Sequence, residues 1–200
     1  MRKDKFIDLV RNRLGASSVD RLKKADPRTV ELAIAAVMNT VFYEAFRKDT
    51  SNLDTYTKTY ENVAVSQDPD TEIYYSTLPA NVVQFPIVGD GVVGINEMKG
   101  EDVMFVPLPS SDFEMMYGLE VDLIDDVIKY TRKGNIVEYV NFDSTITAVR
   151  MDLVVDFTEW DDDEDVPIPS GQDINIMNKV VEYLLGKPTT DILNNQNEIA

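Results

Sequence analysis

Apolar residues near the start of the chain recur with helical spacing. Phe6, Leu9, Val10 and Leu14 fall at i, i+3, i+4 and i+8, so residues 3–14 are expected to form a short amphipathic helix that Gly15 stops. A further helical turn is expected after Ser17-Ser18, through Leu22. Asp26-Pro27 then supplies an N-cap followed by proline at the first helical position, and predicts a helix from about Pro27 to about Lys48. At 100° per residue that helix carries two apolar faces. Val30, Ile34, Val37, Met38, Val41 and Ala45 make one; Leu32, Ala35, Ala36, Phe42, Tyr43 and Phe46 make the other. A helix apolar on two sides needs two partners. It is either central to its own domain or packed between its own domain and a neighbouring subunit, and on the second reading Leu32, Phe42, Tyr43 and Phe46 are the candidate interface residues.

From Leu53 the pattern turns to strand. Thr55 to Tyr60 alternates β-branched with aromatic or long side chains, Asp68-Pro69-Asp70 is a turn signal, and Ile73-Tyr74-Tyr75 returns, which predicts a hairpin. Further strands are expected at 82–85, 92–95, 103–106, 127–131, 136–140 and 146–157. In the last of these, Thr147, Val149, Met151, Leu153, Val155 and Phe157 alternate with a more polar set at a period of two. Arg132-Lys133-Gly134-Asn135 fits a hairpin turn.

Residues 161–165, Asp-Asp-Asp-Glu-Asp, carry five like charges and must reach water. Ser170-Gly171-Gln172-Asp173 resembles a capping box opening a last helix, with Ile174, Met177, Val181 and Leu184 as its stripe and Gly186 and Pro188 ending it. The tail, 189–200, has little apolar material to fold with, and its Ile192 and Leu193 are candidates for docking on a partner. The expected class is α+β: a helical region over 1–52, a central antiparallel β-rich region over 53–160, and an acidic linker, C-terminal helix and extended tail over 161–200 that pack with the N-terminal helices.

Composition narrows the chemistry. Across 200 residues there is no Cys and no His, which removes disulfides, thiolate nucleophiles, imidazole bases and zinc sites built on either residue. The formal charge is −17, distributed unevenly. Residues 1–28 hold nine basic and four acidic side chains, a net of +5, whereas residues 101–200 are at −16. Such polarity suits head-to-tail or ring assembly, and makes Arg11, Arg13, Lys23 and Lys24 candidates for steering it. It disfavours a DNA-binding groove, whose affinity comes from neutralising phosphates. The N-terminal apolar stretch is broken by Asp8 and Arg11, so neither a signal peptide nor a membrane span is expected.

Gly89-Asp90-Gly91-Val92-Val93-Gly94 matches G-x-G-x-x-G, but a dinucleotide site needs a helix N-terminus next, and here a β-rich segment follows. The acidic run offers oxygen ligands for a divalent cation but lacks the alternating spacing and central glycine of a calcium loop, and a solvated loop is the better reading. No carboxylate pair stands out as a glycosidase dyad, and no Ser–Lys signature is present. An enzyme is not expected, and no cofactor or metal is assigned.

The order of segments resembles a known group. Asp26-Pro-Arg-Thr-Val-Glu-Leu-Ala-Ile-Ala-Ala-Val-Met-Asn-Thr-Val-Phe-Tyr-Glu-Ala-Phe46, then Tyr74-Tyr-Ser-Thr-Leu-Pro-Ala-Asn-Val-Val-Gln-Phe-Pro86 with Gly94-Ile95 downstream, then Asp163-Glu-Asp-Val-Pro-Ile-Pro169 before a final helix, is similar to virion structural proteins of tailed bacteriophages, above all the ring or adaptor proteins between portal and tail in crAss-like phages. The resemblance implies a non-enzymatic homo-oligomeric ring, twelvefold, made in the cytoplasm of the bacterial host and incorporated in the virion. Its partners would be its own copies, the portal and other tail or ring proteins, with DNA passing nearby without specific binding and no membrane involved. The glycine-rich turn at 89–94 and the segment 111–130 have no counterpart in that group. A small acidic binding module or inhibitor acting as a monomer in the cytosol stays open as the alternative.

Overall fold

The longer helices flank a run of strands in the computed structural model, which describes residues 1–17, 26–48, 56–85, 90–98, 103–116, 127–168 and 171–186. The fold is α+β, in two units: residues 1–50 with 156–200, and residues 51–155. The expected helical turn at Leu22 and the tail at 189–200 lie outside the described residues.

The first unit is helical. Helix α1 (Lys3–Ser17) runs through Gly15, where a stop was expected. Phe6, Val10 and Leu14 are fully buried, but Leu9, expected on the same stripe, is 43% exposed. Helix α2 (Pro27–Lys48) begins as Asp26-Pro27 predicts, with the Asp26 carbonyl accepting from the amides of Thr29 at 2.9 Å and Val30 at 3.1 Å. It packs against α1, against a 3₁₀ turn at Phe157–Glu159, and against the last helix, Asp173–Leu185. Phe6 and Phe157 meet edge to face with centroids 6.2 Å apart. Asn39 on α2 donates to Asp156 Oδ2 at 3.0 Å, while Asp156 Oδ1 caps the 3₁₀ turn by accepting from the Thr158 amide.

Two expectations for the last helix change. It starts at Asp173 with Gln172 as N-cap, whose side chain makes no cap bond, while Ser170, which opens the expected capping box, lies outside the described residues. The buried set is Ile176, Val180 and Val181, leaving Ile174 59% exposed. The helix has apolar residues on more than one side, and the stripe that counts is the one turned toward α2 and α1. Gly186 ends it as expected, in the left-handed region at φ +63°, with its amide reaching the carbonyls of Glu182 and Tyr183.

The second unit holds two sheets. Strands β1 (Lys58–Ala64), β8 (Ala148–Leu153) and β4 (Val92–Glu97) form an antiparallel sheet in that order. Strands β2 (Ser66–Gln67), β3 (Tyr74–Thr77), β7 (Ile136–Val140), β6 (Val127–Lys133) and β5 (Met104–Pro107) form the other. β1 and β2 are one run of chain broken at Val65, which links an edge of one sheet to an edge of the other, and β4 lies near β5. The expected hairpin between 55–65 and 73–75 is therefore split. Asp68-Pro69-Asp70 does turn the chain, with Asp68 Oδ1 accepting from the amides of Asp70 and Thr71, but it joins β3 only to the short β2. These amides hold the Asp68 carboxyl below the usual range. β1 instead pairs with β8, bulged between Tyr60 and Val63 around Asn62 at φ +58°.

β5 and β6 are parallel, which makes the second sheet mixed rather than antiparallel. A parallel neighbour requires a crossover, and the segment after β5 supplies one that includes the short helix α3 (Ser110–Met116); the last helix is accordingly α4. Of the unassigned segment 111–130, residues 111–116 belong to α3 and 127–130 to β6, and 117–126 lie outside the described residues. Val82–Phe85 is not a strand but a single bridge from Val82 to Val155. The long strand expected over 146–157 spans only Ala148–Leu153. Val149, Met151, Leu153, Val155 and Phe157 are buried as the alternation requires, but Thr147 of the same set is exposed and Ile146 and Val154 of the other set are buried, so the alternation breaks at both ends of the strand.

The glycine-rich turn is structural in the described part. Gly91 sits at φ +86°, and a Cβ there would overlap the Val83 carbonyl oxygen and Val82 Cγ1. Gly94 lies in the bulge of β4 against β8, and the chain runs on as a strand, not a helix. Arg132, in β6, fastens the turn. Its Nη1 bonds the Asp90 carbonyl and lies 3.0 Å from Asp90 Oδ2, and its Nε donates to the Gly134 carbonyl at 2.8 Å. Asp90 Oδ1 in turn accepts from the Phe85 amide at 2.6 Å. Gly89 lies outside the described residues.

Gly91→Ala is expected to cost about 2–4 kcal/mol, from the left-handed backbone and the overlap together, whereas Gly134→Ala, with φ +66° but open space around it, should cost about 1–2 kcal/mol. Urea titration of the two variants checks the order. Tyr130 and Tyr139 are buried in β6 and β7, and burial pushes the Tyr130 phenol up to about 12 and Tyr139 in the same direction. A folded value above the unfolded one of 10.0 means a contribution to stability complete below that pH and lost as the pH rises toward about 12. Tyr130→Phe should flatten the fall in unfolding free energy between neutral pH and about pH 11.

Candidate functional site

Two features of the helical unit carry charge or apolar surface beyond what packing explains. The first is on α2. The buried residues Val30, Ala33, Ile34, Ala35, Val37, Met38, Val41, Phe42 and Phe46 spread around more than half of the helix circumference. Phe42 and Phe46, expected at a subunit interface, are only 1% and 8% exposed, so that part of the expectation is corrected. These rings belong to the interior because the buried arc is wide enough to take in one edge of the expected second face. Its remainder, Leu32 at 56% exposed, Tyr43 at 40% exposed, and the exposed Ala36 between them, forms a narrow strip. Arg28 and Arg47, exposed at the two ends of the strip, make no ion pair among the described residues.

The second feature is the head of α1. Residues 1–4 lie along the acidic run as if in a strand pair. Arg2 and Asp165 form an antiparallel bridge, and the Val166 amide donates to the Met1 carbonyl at 3.0 Å. The Lys3 and Asp4 amides, which the first turn of a helix leaves without partners, donate to the carbonyls of Glu164 and Asp162 at 3.0 Å each. The acidic run therefore caps α1 with its backbone, its negative charge beside the positive end of the helix dipole. The Met1 ammonium is 3.2 Å from Asp165 Oδ1.

Lys3, only 4% exposed, is the most buried charged residue described. Its Nζ lies 2.5 Å from Glu31 Oε1, donates to the Trp160 carbonyl at 2.8 Å and the Thr158 carbonyl at 3.5 Å, and stands 5.5 Å from the centroid of the Phe157 ring. Sequence reasoning placed Lys3 only in a basic tip. Its position one turn before Phe6, at the start of a stripe, is the signal that its stem would be drawn inward.

Of the residues expected to steer assembly, Arg11 is half-buried and its Nε has no hydrogen-bond partner among the described residues, and Arg13 is exposed. Lys23, Lys24, Ile192 and Leu193 lie outside the described residues. The structure brings the basic tip to the chain's own acidic run rather than leaving it wholly for a neighbour.

Among the described residues, no three His, Cys, Asp or Glu side chains come together so as to hold an ion, and no helix is long and apolar enough to cross a membrane. Compared with protein-family models and with curated proteins, the chain matches none.

Lys3→Met should cost about 1–3 kcal/mol, because it leaves Glu31 and two peptide carbonyls without their cation while keeping most of the packed stem. Denaturant unfolding followed by helical circular dichroism reads the loss.

Proposed function

We propose that this chain is a non-enzymatic structural subunit of a tailed-phage virion, assembling with its own copies into a ring that joins portal to tail around the DNA channel. The observation that carries the reading is the strip of Leu32, Ala36 and Tyr43. It is apolar surface left on a helix that already buries more than half of its circumference. The order of segments in the sequence supports it, as does the acidic body. A surface at −17 overall offers DNA phosphates no continuous basic lining, which suits a channel through which DNA must slide. Contact with DNA is passing rather than specific, and the portal and the other tail or ring proteins are the remaining partners.

Solution mass against concentration tests the reading. Self-association of the full chain is expected, and Leu32→Asp with Tyr43→Asp should raise the concentration for half-assembly at least tenfold while leaving circular dichroism unchanged. Phe42→Asp with Phe46→Asp should instead unfold the helical unit, since both rings are interior. A chain that stays monomeric at every concentration and occurs in no virion favours the acidic binding module instead.

A further inference from the structure

We propose that the α2 strip is covered, in the assembled state, by the acidic run of a second copy of this chain, so that subunits join head to tail through Arg28 or Arg47 on one copy and Asp161, Asp162 and Asp163 on the next. This deepens the ring reading above and rests on it.

The occupant is chosen by charge. The strip is apolar in its middle and ends in arginines at both extremes, about 28 Å apart along the helix axis. A partner that covers it must bring apolar or neutral surface to the centre and carboxylates to an end. Positive neighbours are excluded by the same two charges. The chain itself has such carboxylates. Asp161, Asp162 and Asp163 are consecutive and exposed, and none of them makes an ion pair among the described residues. The rest of the run is already engaged: Asp165 by the Met1 ammonium, and Glu164 by the Asp161 amide at 2.7 Å. Two complementary sets of charge, unpaired among the described residues, therefore coexist in one unit.

They do not face the same way. The acidic run leaves Trp160, whose carbonyl is held by Lys3, and Lys3 is held by Glu31 of α2. Glu31 lies about 120° around the α2 axis from the centre of the strip. A unit with complementary patches on different faces cannot satisfy both in a symmetric pair. It satisfies them in a head-to-tail series, which closes as a ring when the rotation per subunit divides the circle. Three successive aspartates span at most about 7 Å, so they meet one end of the strip, not both.

The test uses charge exchange on the full chain at about 150 mM salt, where general repulsion between acidic bodies is screened beyond about 8 Å. One variant carries Arg28→Glu and Arg47→Glu; the other carries Asp161→Lys, Asp162→Lys and Asp163→Lys. Each alone should need at least tenfold more protein for half-assembly than the wild type, as read by mass photometry. An equimolar mixture should assemble again, because each altered patch then meets its altered complement. The single variants Arg28→Glu and Arg47→Glu tell which end is used, and one should account for most of the loss. Should either multiple variant lose its circular dichroism, Arg28→Ala with Arg47→Ala and the three Asp→Asn changes replace them, each expected to weaken assembly. Variants that assemble like the wild type, or a mixture that stays monomeric, overturn this inference alone. A wild type that never assembles overturns the ring reading and this inference with it.

Discussion

The ammonium of Lys3, withdrawn from water at the head of α1, needs acceptors where it sits, and the ones it finds come from two distant stretches of chain. Glu31 is on α2, Thr158 lies in the 3₁₀ turn and Trp160 just after it, and the Phe157 ring of the same turn lies below. A buried cation is tolerated only when its partners are held in place, so its burial obliges α1, α2 and the 156–160 segment to keep one arrangement. The acidic run inherits its position from this. Once Trp160 is fixed, residues 161–165 pass the first turn of α1 and give its free amides their acceptors. A cluster of five acids that would otherwise be a loose solvated loop becomes the N-terminal cap of a helix from a distant part of the sequence.

Local signals in the sequence are reliable here where the physics is local. Asp26-Pro27 starts α2, Gly134-Asn135 turns β6 into β7, and Gly186 stops α4, because proline geometry, a two-residue turn and a left-handed cap depend on few neighbours. Pairing is less legible. The alternation over 146–157 identifies the buried strand face from Val149 to Leu153 and fails beyond the strand's ends, and nothing in those residues says that β8 takes β1 and β4 as its neighbours, or that β5 runs parallel to β6. The Gly15 stop fails for a related reason: a glycine ends a helix only when the chain there needs a left-handed residue, and α1 continues two residues beyond it.

The candidate surface was half visible. Two apolar faces on α2 are plain from the residues, but a helical wheel counts apolar positions without knowing how much circumference the neighbours can cover. Aromatic rings reach farther around a helix than their Cα positions suggest, and Phe42 and Phe46 turn into the interior from the edge of the second face. Ala36 and the larger Leu32 and Tyr43, nearer its middle, stay outside. The residue that sequence reasoning missed, Lys3, was hidden for the opposite reason: lysine is so seldom buried that only its place at the head of the Phe6 stripe argues for it.

Charge decides what such a surface can do. A chain at −17 repels its own copies, and assembly by apolar contact alone would have to overcome that repulsion at every encounter. Part of the positive charge at the N-terminus is spent inside the subunit, the Met1 ammonium on Asp165, Arg2 on Asp4 and Lys3 on Glu31. On α2, the charge that Arg28 and Arg47 offer a neighbour is placed at the two ends of the strip. Arginines at the ends of an otherwise apolar strip attract an acidic surface only in orientations that also cover the strip, so the same two charges that offset repulsion select the angle of approach. An angle selected in this way is what a closed ring requires, since a small error per subunit would accumulate around the circle and leave it open.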